Sequence, residues 1–145
     1  MTYKHTQIGH LIIFVLLTLS ILFCGILTQA DFDFGILVLM AFILLLTASF
    51  ASLTVEIDDT YLRIAFGYGV FRKRFKLSEI VSAKVVKNHW LVGWGIRLWL
   101  WPRTWIFNVS GFDAVEIKMQ NGKLYRIGTD EPKKLEQAIA QVIKQ

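Results

Sequence analysis

The sequence predicts a membrane α-helical hairpin followed by a mainly-β domain of about seven antiparallel strands, which a C-terminal α-helix closes. Two apolar runs, residues 8–30 and 34–53, contain no Asp, Glu, Lys or Arg. The stretch after them alternates apolar and polar residues, and the chain ends with apolar residues at helical spacing. We therefore divide the chain into an N-terminal flank with two transmembrane helices, residues 1–53, and a second domain, residues 54–145.

Both apolar runs have the length of membrane-spanning helices, which need roughly 20 residues to cross the hydrocarbon core. The turn between them, Asp31-Phe32-Asp33, is acidic, whereas Lys4 precedes the first run and five basic residues occur between positions 63 and 76. Positively charged loops stay in the cytoplasm. We therefore expect a multi-pass membrane protein with both termini cytoplasmic and the acidic turn outside.

A cleaved signal peptide is the alternative interpretation of the first run. The string Leu22-Phe23-Cys24-Gly25 contains the cysteine of a lipoprotein cleavage site. However, bulky Phe23 stands where a small residue is needed, and the apolar region is longer than that of a signal peptide. Because Cys24 is the only cysteine, the chain can form neither an intramolecular disulfide nor a cysteine-rich metal site.

Glycines mark two hairpins in the second domain. Gly67-Tyr68-Gly69 follows one alternating strand and precedes another, and glycines reach positive φ without steric cost. Near the C-terminus, a three-residue loop over 120–122 with a left-handed Gly122 places the apolar residues of both strands on one face. This register sets Glu116 opposite Arg126, and we prefer it because the hydrophobic face determines strand register.

The last segment predicts an amphipathic helix. Asp130 is a suitable N-cap, Glu131 favours the positive end of the helix dipole, and Pro132 fits the first turn. Apolar residues then recur at positions i, i+3, i+4, i+7 and i+8, namely Leu135, Ala138, Ile139, Val142 and Ile143. We expect this helix to close one end of the β-domain.

Several motifs in the order in which they occur resemble those of bacterial pleckstrin-homology-like (PH-like) domains. They are Gly93-Trp94-Gly95-Ile96-Arg97, Trp105-Ile106-Phe107-Asn108-Val109-Ser110-Gly111, Ala114-Val115-Glu116-Ile117, and Ile127-Gly128-Thr129-Asp130-Glu131-Pro132 followed by Leu135. The resemblance covers residues 54–143 and departs at the aromatic stretch 98–102. It implies a PH-like barrel anchored in the bacterial inner membrane by an N-terminal two-helix hairpin, and it implies no catalytic residues, since the family has none in common.

The second domain contains no arrangement of residues typical of an enzyme. Its only histidine is His89, so a zinc site has no second histidine or cysteine. It also lacks the nucleophile elbow Gly-x-Ser-x-Gly, a phosphate-binding Gly-rich loop with lysine, and a dinucleotide-binding fingerprint. We therefore expect no enzymatic activity, no cofactor and no metal.

A concentration of basic residues is the first feature that indicates a binding function. Residues 55–145 contain 15 Lys and Arg against 9 Asp and Glu, and Arg72, Arg74 and Lys76 alternate along one strand face with Lys73 on the other. With Arg97 and Arg103, these residues are candidates for binding anionic lipid or a partner, because each basic residue near an anionic surface contributes about 1 kcal/mol. The alternative interpretation is a solvated face that only enforces membrane orientation.

Tryptophans are the second such feature. If Leu98-Trp99-Leu100-Trp101 is a strand, both of its faces are apolar, and a small barrel has only one interior. One face must then lie against a membrane or a partner, and we select Trp99 and Trp101 because tryptophan favours the membrane interface. Basic and aromatic residues together also occur in nucleic-acid-binding proteins, but a segment tethered to lipid favours the membrane.

The predicted function follows from these features. We expect a non-enzymatic integral membrane protein that presents a PH-like domain at the cytoplasmic membrane surface. Its expected partners are anionic lipid headgroups or an unidentified protein, which includes a second copy of the chain, and not nucleic acid. The alternative is an accessory or immunity-type subunit of a membrane complex that acts through its transmembrane helices.

Overall fold

The computed structural model describes residues 3–29, 31, 33–93, 95–100 and 103–144. These residues form nine strands, three α-helices and two short 3-10 turns, Leu77–Glu79 and Trp90–Val92. The strands are β1 (Tyr3–Ile8), β2 (Ser52–Ile57), β3 (Tyr61–Phe66), β4 (Arg72–Lys76), β5 (Ile80–Lys87), β6 (Gly95–Leu100), β7 (Arg103–Asn108), β8 (Asp113–Met119) and β9 (Leu124–Gly128). The helices are α1 (His10–Gln29), α2 (Phe34–Ala48) and α3 (Pro132–Ile143).

The strands form two sheets. The first sheet has the order β1-β2-β3-β4 and the second has the order β5-β8-β9-β7-β6. All pairs are antiparallel except β7 with β9, which run parallel. The sheets are not closed into a barrel, so the predicted barrel is wrong. The described residues form nine strands with one parallel pair rather than about seven antiparallel strands, whereas the mainly-β domain with a C-terminal helix is confirmed.

The hydrophobic core lies between the two sheets and α3. Alternate residues of β2 and β3 point inward, including Leu53, Ile57 and Ile64, each at most 1 % exposed. Leu135 and Ile139 of α3 are fully buried in the same cluster, which confirms the predicted amphipathic helix. The N-cap of α3 is Glu131 rather than Asp130, because the Asp130 carboxylate instead accepts a hydrogen bond from the His5 imidazole.

Strand β1 occupies residues that the sequence analysis assigns to the N-terminal flank and to the first residue of the first apolar run. It pairs along its whole length with β2, from Tyr3 opposite Ile57 to Ile8 opposite Ser52. The helices α1 and α2 are therefore inserted between two neighbouring strands of one sheet. As a consequence, the start of α1 and the end of α2 leave the β-domain side by side.

Helix α1 is long and apolar enough to cross a membrane. It has 20 residues, a hydropathy of 2.8 and no buried residue, and it is the only such helix in the part of the chain that the structure describes. Helix α2 has 15 residues, which corresponds to about 22 Å. The predicted second span, residues 34–53, is therefore too long, because α2 ends at Ala48 and β2 begins at Ser52.

The end of α2 is held by local contacts. The Ser49 backbone N–H donates to the Leu45 carbonyl oxygen, and the Phe50 ring stacks on the Phe71 ring at a centroid distance of 4.9 Å. Phe71 precedes β4, so this stacking connects α2 to the β3–β4 hairpin. The loop of that hairpin, residues 67–71, contains Gly67 and Gly69 with positive φ, as the sequence predicts.

The β8–β9 hairpin confirms the predicted register. Glu116 lies opposite Arg126, and Gly122 has a φ of +81° in the three-residue loop. The Glu116 carboxylate accepts a hydrogen bond from Arg126 Nε at 2.9 Å and lies 3.3 Å from Lys84 Nζ. Sheet pairing explains this triad, since Lys84 of β5 is the residue opposite Glu116 on the other side of β8.

Candidate functional site

The outer face of the first sheet concentrates basic side chains. Register places Arg63 between Glu56 and Arg74, and it places Ala65 between Thr54 and Arg72. These residues point away from the core because they alternate with the buried residues of their strands. The sequence alternation in β4 thus puts Arg72 and Arg74 on the same face as Arg63.

A cleft of about 440 Å³ opens on this face. The residues that line it are Thr54, Glu56, Arg63, Ile64, Ala65, Arg72, Lys73 and Arg74. Ala65 is the smallest of them, and its two cross-strand neighbours are Thr54 and Arg72. The volume falls in the range of small-molecule sites, and the lining combines guanidinium groups with a hydroxyl.

Two of the four charged residues that point outward into the cleft are neutralised. Arg63 Nη1 lies 2.6 Å from Asp58 Oδ2, and Glu56 Oε2 lies 3.9 Å from Lys4 Nζ. Hydrogen bonds from the backbone N–H groups of Tyr61 and Thr60 hold the pKa of Asp58 below its ordinary value. The partner of Arg63 is therefore ionised at neutral pH.

Arg72 and Arg74 carry the uncompensated charge. Among the described residues, neither forms an ion pair with a carboxylate. Arg72 Nε donates to the Gly69 carbonyl oxygen at 2.6 Å, which orients the guanidinium, and Arg74 Cζ lies 5.6 Å from the centroid of the Tyr61 ring. Both side chains are thus positioned by neutral groups and keep their positive charge for a ligand.

The other two basic residues of β4, Lys73 and Lys76, have environments that differ from those of Arg72 and Arg74. Lys76 shares the outer face, as predicted, but its Nζ lies 3.9 Å from Glu79 Oε1. Lys73 is the predicted exception to the alternation, and its Nζ lies 5.9 Å from the centroid of the Tyr125 ring.

Arg97 and Arg103 are not brought to the cleft. Arg97 belongs to β6 and Arg103 to β7, both in the second sheet. Arg103 lines a separate depression with Trp105 and the β8–β9 loop. The six basic candidates therefore do not form one site, because Arg97 and Arg103 lie on the second sheet and the other four lie on β4 of the first.

The structure describes one of the two tryptophan candidates. Trp99 is half-buried, with its ring centroid 6.2 Å from that of His89, and Trp101 lies outside the described residues. On the opposite face of β6, Leu98 and Leu100 are exposed, and so is Trp105 next to them. The apolar face that meets solvent is therefore the leucine face of this strand.

Arg63, Thr54 and Glu56 belong to the cleft but were not among the predicted site residues. The signal for Arg63 was present, since it occupies the outward position of a strand that a glycine hairpin joins to β4. A three-residue loop over 67–69 would set Arg63 opposite Lys73. In the structure the Phe66 N–H donates to the Phe71 carbonyl oxygen across a four-residue loop, which sets Arg63 opposite Arg74. Thr54 and Glu56 required the pairing of β2 with β3 as well.

No group of three or more His, Cys, Asp or Glu is placed to hold a metal ion in the residues that the structure describes. No protein-family model matches the sequence, and no curated protein matches it significantly.

Proposed function

We propose that this chain is a membrane-anchored binding protein, not an enzyme, whose first sheet holds an anionic lipid headgroup at the cytoplasmic surface. The observation behind this proposal is the cleft over Ala65, in which Arg72 and Arg74 have no carboxylate partner among the described residues. Guanidinium groups bind phosphate oxygens through two parallel hydrogen bonds, which suits a phosphate headgroup.

The position of the cleft supports a ligand in the bilayer surface. Arg72 begins β4 directly after the loop 67–71, and the Tyr68 hydroxyl of that loop donates a hydrogen bond to the Leu45 carbonyl oxygen of α2. The cleft therefore opens within a few residues of the place where the helices leave the domain. A tethered site of this kind meets headgroups at high effective concentration.

The proposed topology has both helices in the membrane and both termini in the cytoplasm. Pairing of β1 with β2 supports it, because residues on both sides of the helical hairpin then lie in one domain. The short α2 is compatible with crossing if the bilayer thins locally. The excess of Lys and Arg after α2 sets the orientation.

Cysteine labelling in intact cells tests this topology. In a Cys24→Ser background, a cysteine at position 31 should react with a membrane-impermeant reagent, whereas a cysteine at position 144 should react only after the membrane is permeabilised. Reaction at position 144 in intact cells would place the domain outside and refute the orientation.

We also propose that the domain is related to bacterial PH-like domains. The order of the motifs between residues 93 and 135 supports this relationship. A core of two sheets packed with a C-terminal helix is compatible with it, although the sheets remain open.

Lipid enrichment around the full-length chain tests the headgroup site. In neutral detergent micelles that contain traces of labelled lipid, the protein should bind phosphatidylglycerol more tightly than phosphatidylcholine. The double variant Arg72→Gln/Arg74→Gln should lower the phosphatidylglycerol affinity about 30-fold at low salt, since two basic residues contribute about 1 kcal/mol each. Added salt should reduce the difference.

A matched control removes the same charge elsewhere. Lys123→Gln/Lys133→Gln alters two exposed lysines, one beside the β8–β9 loop and one on α3, and should leave the phosphatidylglycerol preference unchanged. Equal binding of both lipids by the wild-type protein would exclude the headgroup site. If a membrane protein co-purified through α1 and α2 instead, the accessory-subunit function would be favoured.

A further inference from the structure

The connections between strands lie at two opposite ends of the β-domain. Three of them, residues 67–71, 88–93 and 109–112, lie at the end from which the helices emerge. The Tyr68 hydroxyl donates to the Leu45 carbonyl oxygen, Gln7 Nε2 donates to the Ser110 carbonyl oxygen at 3.2 Å, and the Asn88 N–H donates to the Phe112 carbonyl oxygen at 2.7 Å. Since Gln7 is two residues before Gly9, where α1 is about to begin, these contacts join all three connections to the helical hairpin.

Each of these three connections exposes large apolar side chains. They are Tyr68 and Val70 in the first, Trp90 and Leu91 in the second, and Phe112 in the third, and each is between 46 % and 68 % exposed. We name these five residues the apolar collar. Groups of exposed large apolar side chains at one end of a domain mark protein or membrane contacts.

At the opposite end, two of the connections that the structure describes consist of polar residues and glycine. The β2–β3 turn consists of Asp58, Asp59 and Thr60, and the β8–β9 loop consists of Gln120, Asn121 and Gly122. The other exposed apolar side chains of the β-domain, such as Leu100, Trp105 and Val81, lie on strands rather than in these connections. Among the connections that the structure describes, the exposed large apolar side chains therefore lie at the end that faces the helices.

Basic residues border the apolar collar. Lys87 is exposed at the end of β5, directly before the connection 88–93, and Arg72 directly follows the connection 67–71. Aromatic and aliphatic side chains next to cations are typical of surfaces that lie in the headgroup region of a bilayer.

We propose that the apolar collar inserts into the boundary between headgroups and acyl chains, so that the β-domain rests on the bilayer in one fixed orientation. The occupant of this surface is lipid, because Tyr68 of the collar contacts α2 at Leu45 and the neighbouring α1 is apolar and has no buried residue. The inference rests on the proposed function only in requiring that α1 spans the membrane. It assigns the interfacial role to Trp90, which is 68 % exposed, and to its neighbours, whereas Trp99 is half-buried.

Depth-dependent quenching of single labels tests the insertion. The full-length Cys24→Ser protein receives one cysteine by Leu91→Cys or Phe112→Cys, or, as a matched control at the polar end, by Asn121→Cys. Each variant carries an environment-sensitive fluorophore and is reconstituted into phosphatidylcholine liposomes that contain lipid with a nitroxide high on the acyl chain. Quenching at positions 91 and 112 should exceed quenching at position 121 by about threefold or more, because a side chain inserted about 5–10 Å into the headgroup and acyl boundary lies near the depth of the nitroxide.

The outcomes separate the apolar collar from the headgroup site. Uncharged liposomes lack the anionic ligand, so the collar is measured even if the cleft binds nothing. Equal lipid quenching at positions 91, 112 and 121 overturns the proposal. In that case, access of a water-soluble quencher to position 91 shows a free surface, and protection from it shows a covering protein.

Discussion

The Gly128→Ala variant is expected to lose about 3 kcal/mol of its free energy of unfolding. A Cβ at position 128 would lie 2.1 Å from Asn108 Oδ1 and 2.7 Å from Asn108 Cγ. Asn108 cannot turn away cheaply, because it is 1 % exposed and its Nδ2 donates to the Gly111 carbonyl oxygen at 2.9 Å. The substitution must therefore move two paired strands or break the turn that contacts β1.

Chemical unfolding of the full-length protein in detergent, followed by circular dichroism, measures this loss. Gly25→Ala is the control, since a Cβ at that position of α1 meets nothing within 4 Å. If the clash is the cause, Asn108→Ala/Gly128→Ala should be more stable than the sum of the single variants predicts. An unfolding midpoint of Gly128→Ala equal to that of the wild type would show that the strands are not packed as described.

Glu116→Gln is expected to destabilise the protein by about 2 kcal/mol at neutral pH, because it leaves Arg126 without its anionic partner. The Glu116 side chain is 8 % exposed and that of Arg126 21 %, whereas Lys84 is mostly exposed and contributes little. Burial opposes ionisation of the Glu116 carboxyl, but hydrogen bonds from Arg126 and Lys84 outweigh it and hold its pKa below the ordinary value of 4.5.

The sign of the pH dependence follows from this lowered pKa. The stabilisation is fully present above about pH 4.5, the ordinary value, and is lost as the pH falls through the lowered pKa of the folded protein. The wild type should therefore lose stability on acidification more steeply than Glu116→Gln, and the two Tm values should converge. Asp59→Asn, in an exposed turn, should show no such convergence. Parallel pH curves for the wild type and Glu116→Gln would contradict the role assigned to the triad.

The structure agrees with the sequence predictions where a local pattern determines the strand register or the face on which a side chain lies. Alternation places Arg72, Arg74 and Lys76 on one face, and the apolar residues on either side of Gly122 allow a single sensible register for the β8–β9 hairpin. In both cases the information lies within about ten residues, because side chains alternate across a strand.

The sequence predictions are wrong or incomplete where the structure depends on pairing between segments that are far apart in the sequence. Strand β1 contains Lys-His-Thr-Gln and has no local apolar pattern, so only its partner β2, which follows the helical hairpin, makes it a strand. The end of α2 was misplaced because an apolar run reads equally well as a membrane helix and as a buried strand. The apolar collar depends on sheet order, which brings together loops that are far apart in the sequence.

The insertion of the helices between β1 and β2 couples the order of synthesis to completion of the fold. During translation β1 emerges before α1 and α2, and its partner β2 emerges only after both. Under the proposed topology, β1 waits at the cytoplasmic surface with its backbone N–H and C=O groups unpaired until the helical hairpin has entered the bilayer and returned. Under this topology, a chain whose hairpin fails to insert would leave the β2 edge open to other strands, and membrane insertion would act as a checkpoint for folding of the β-domain.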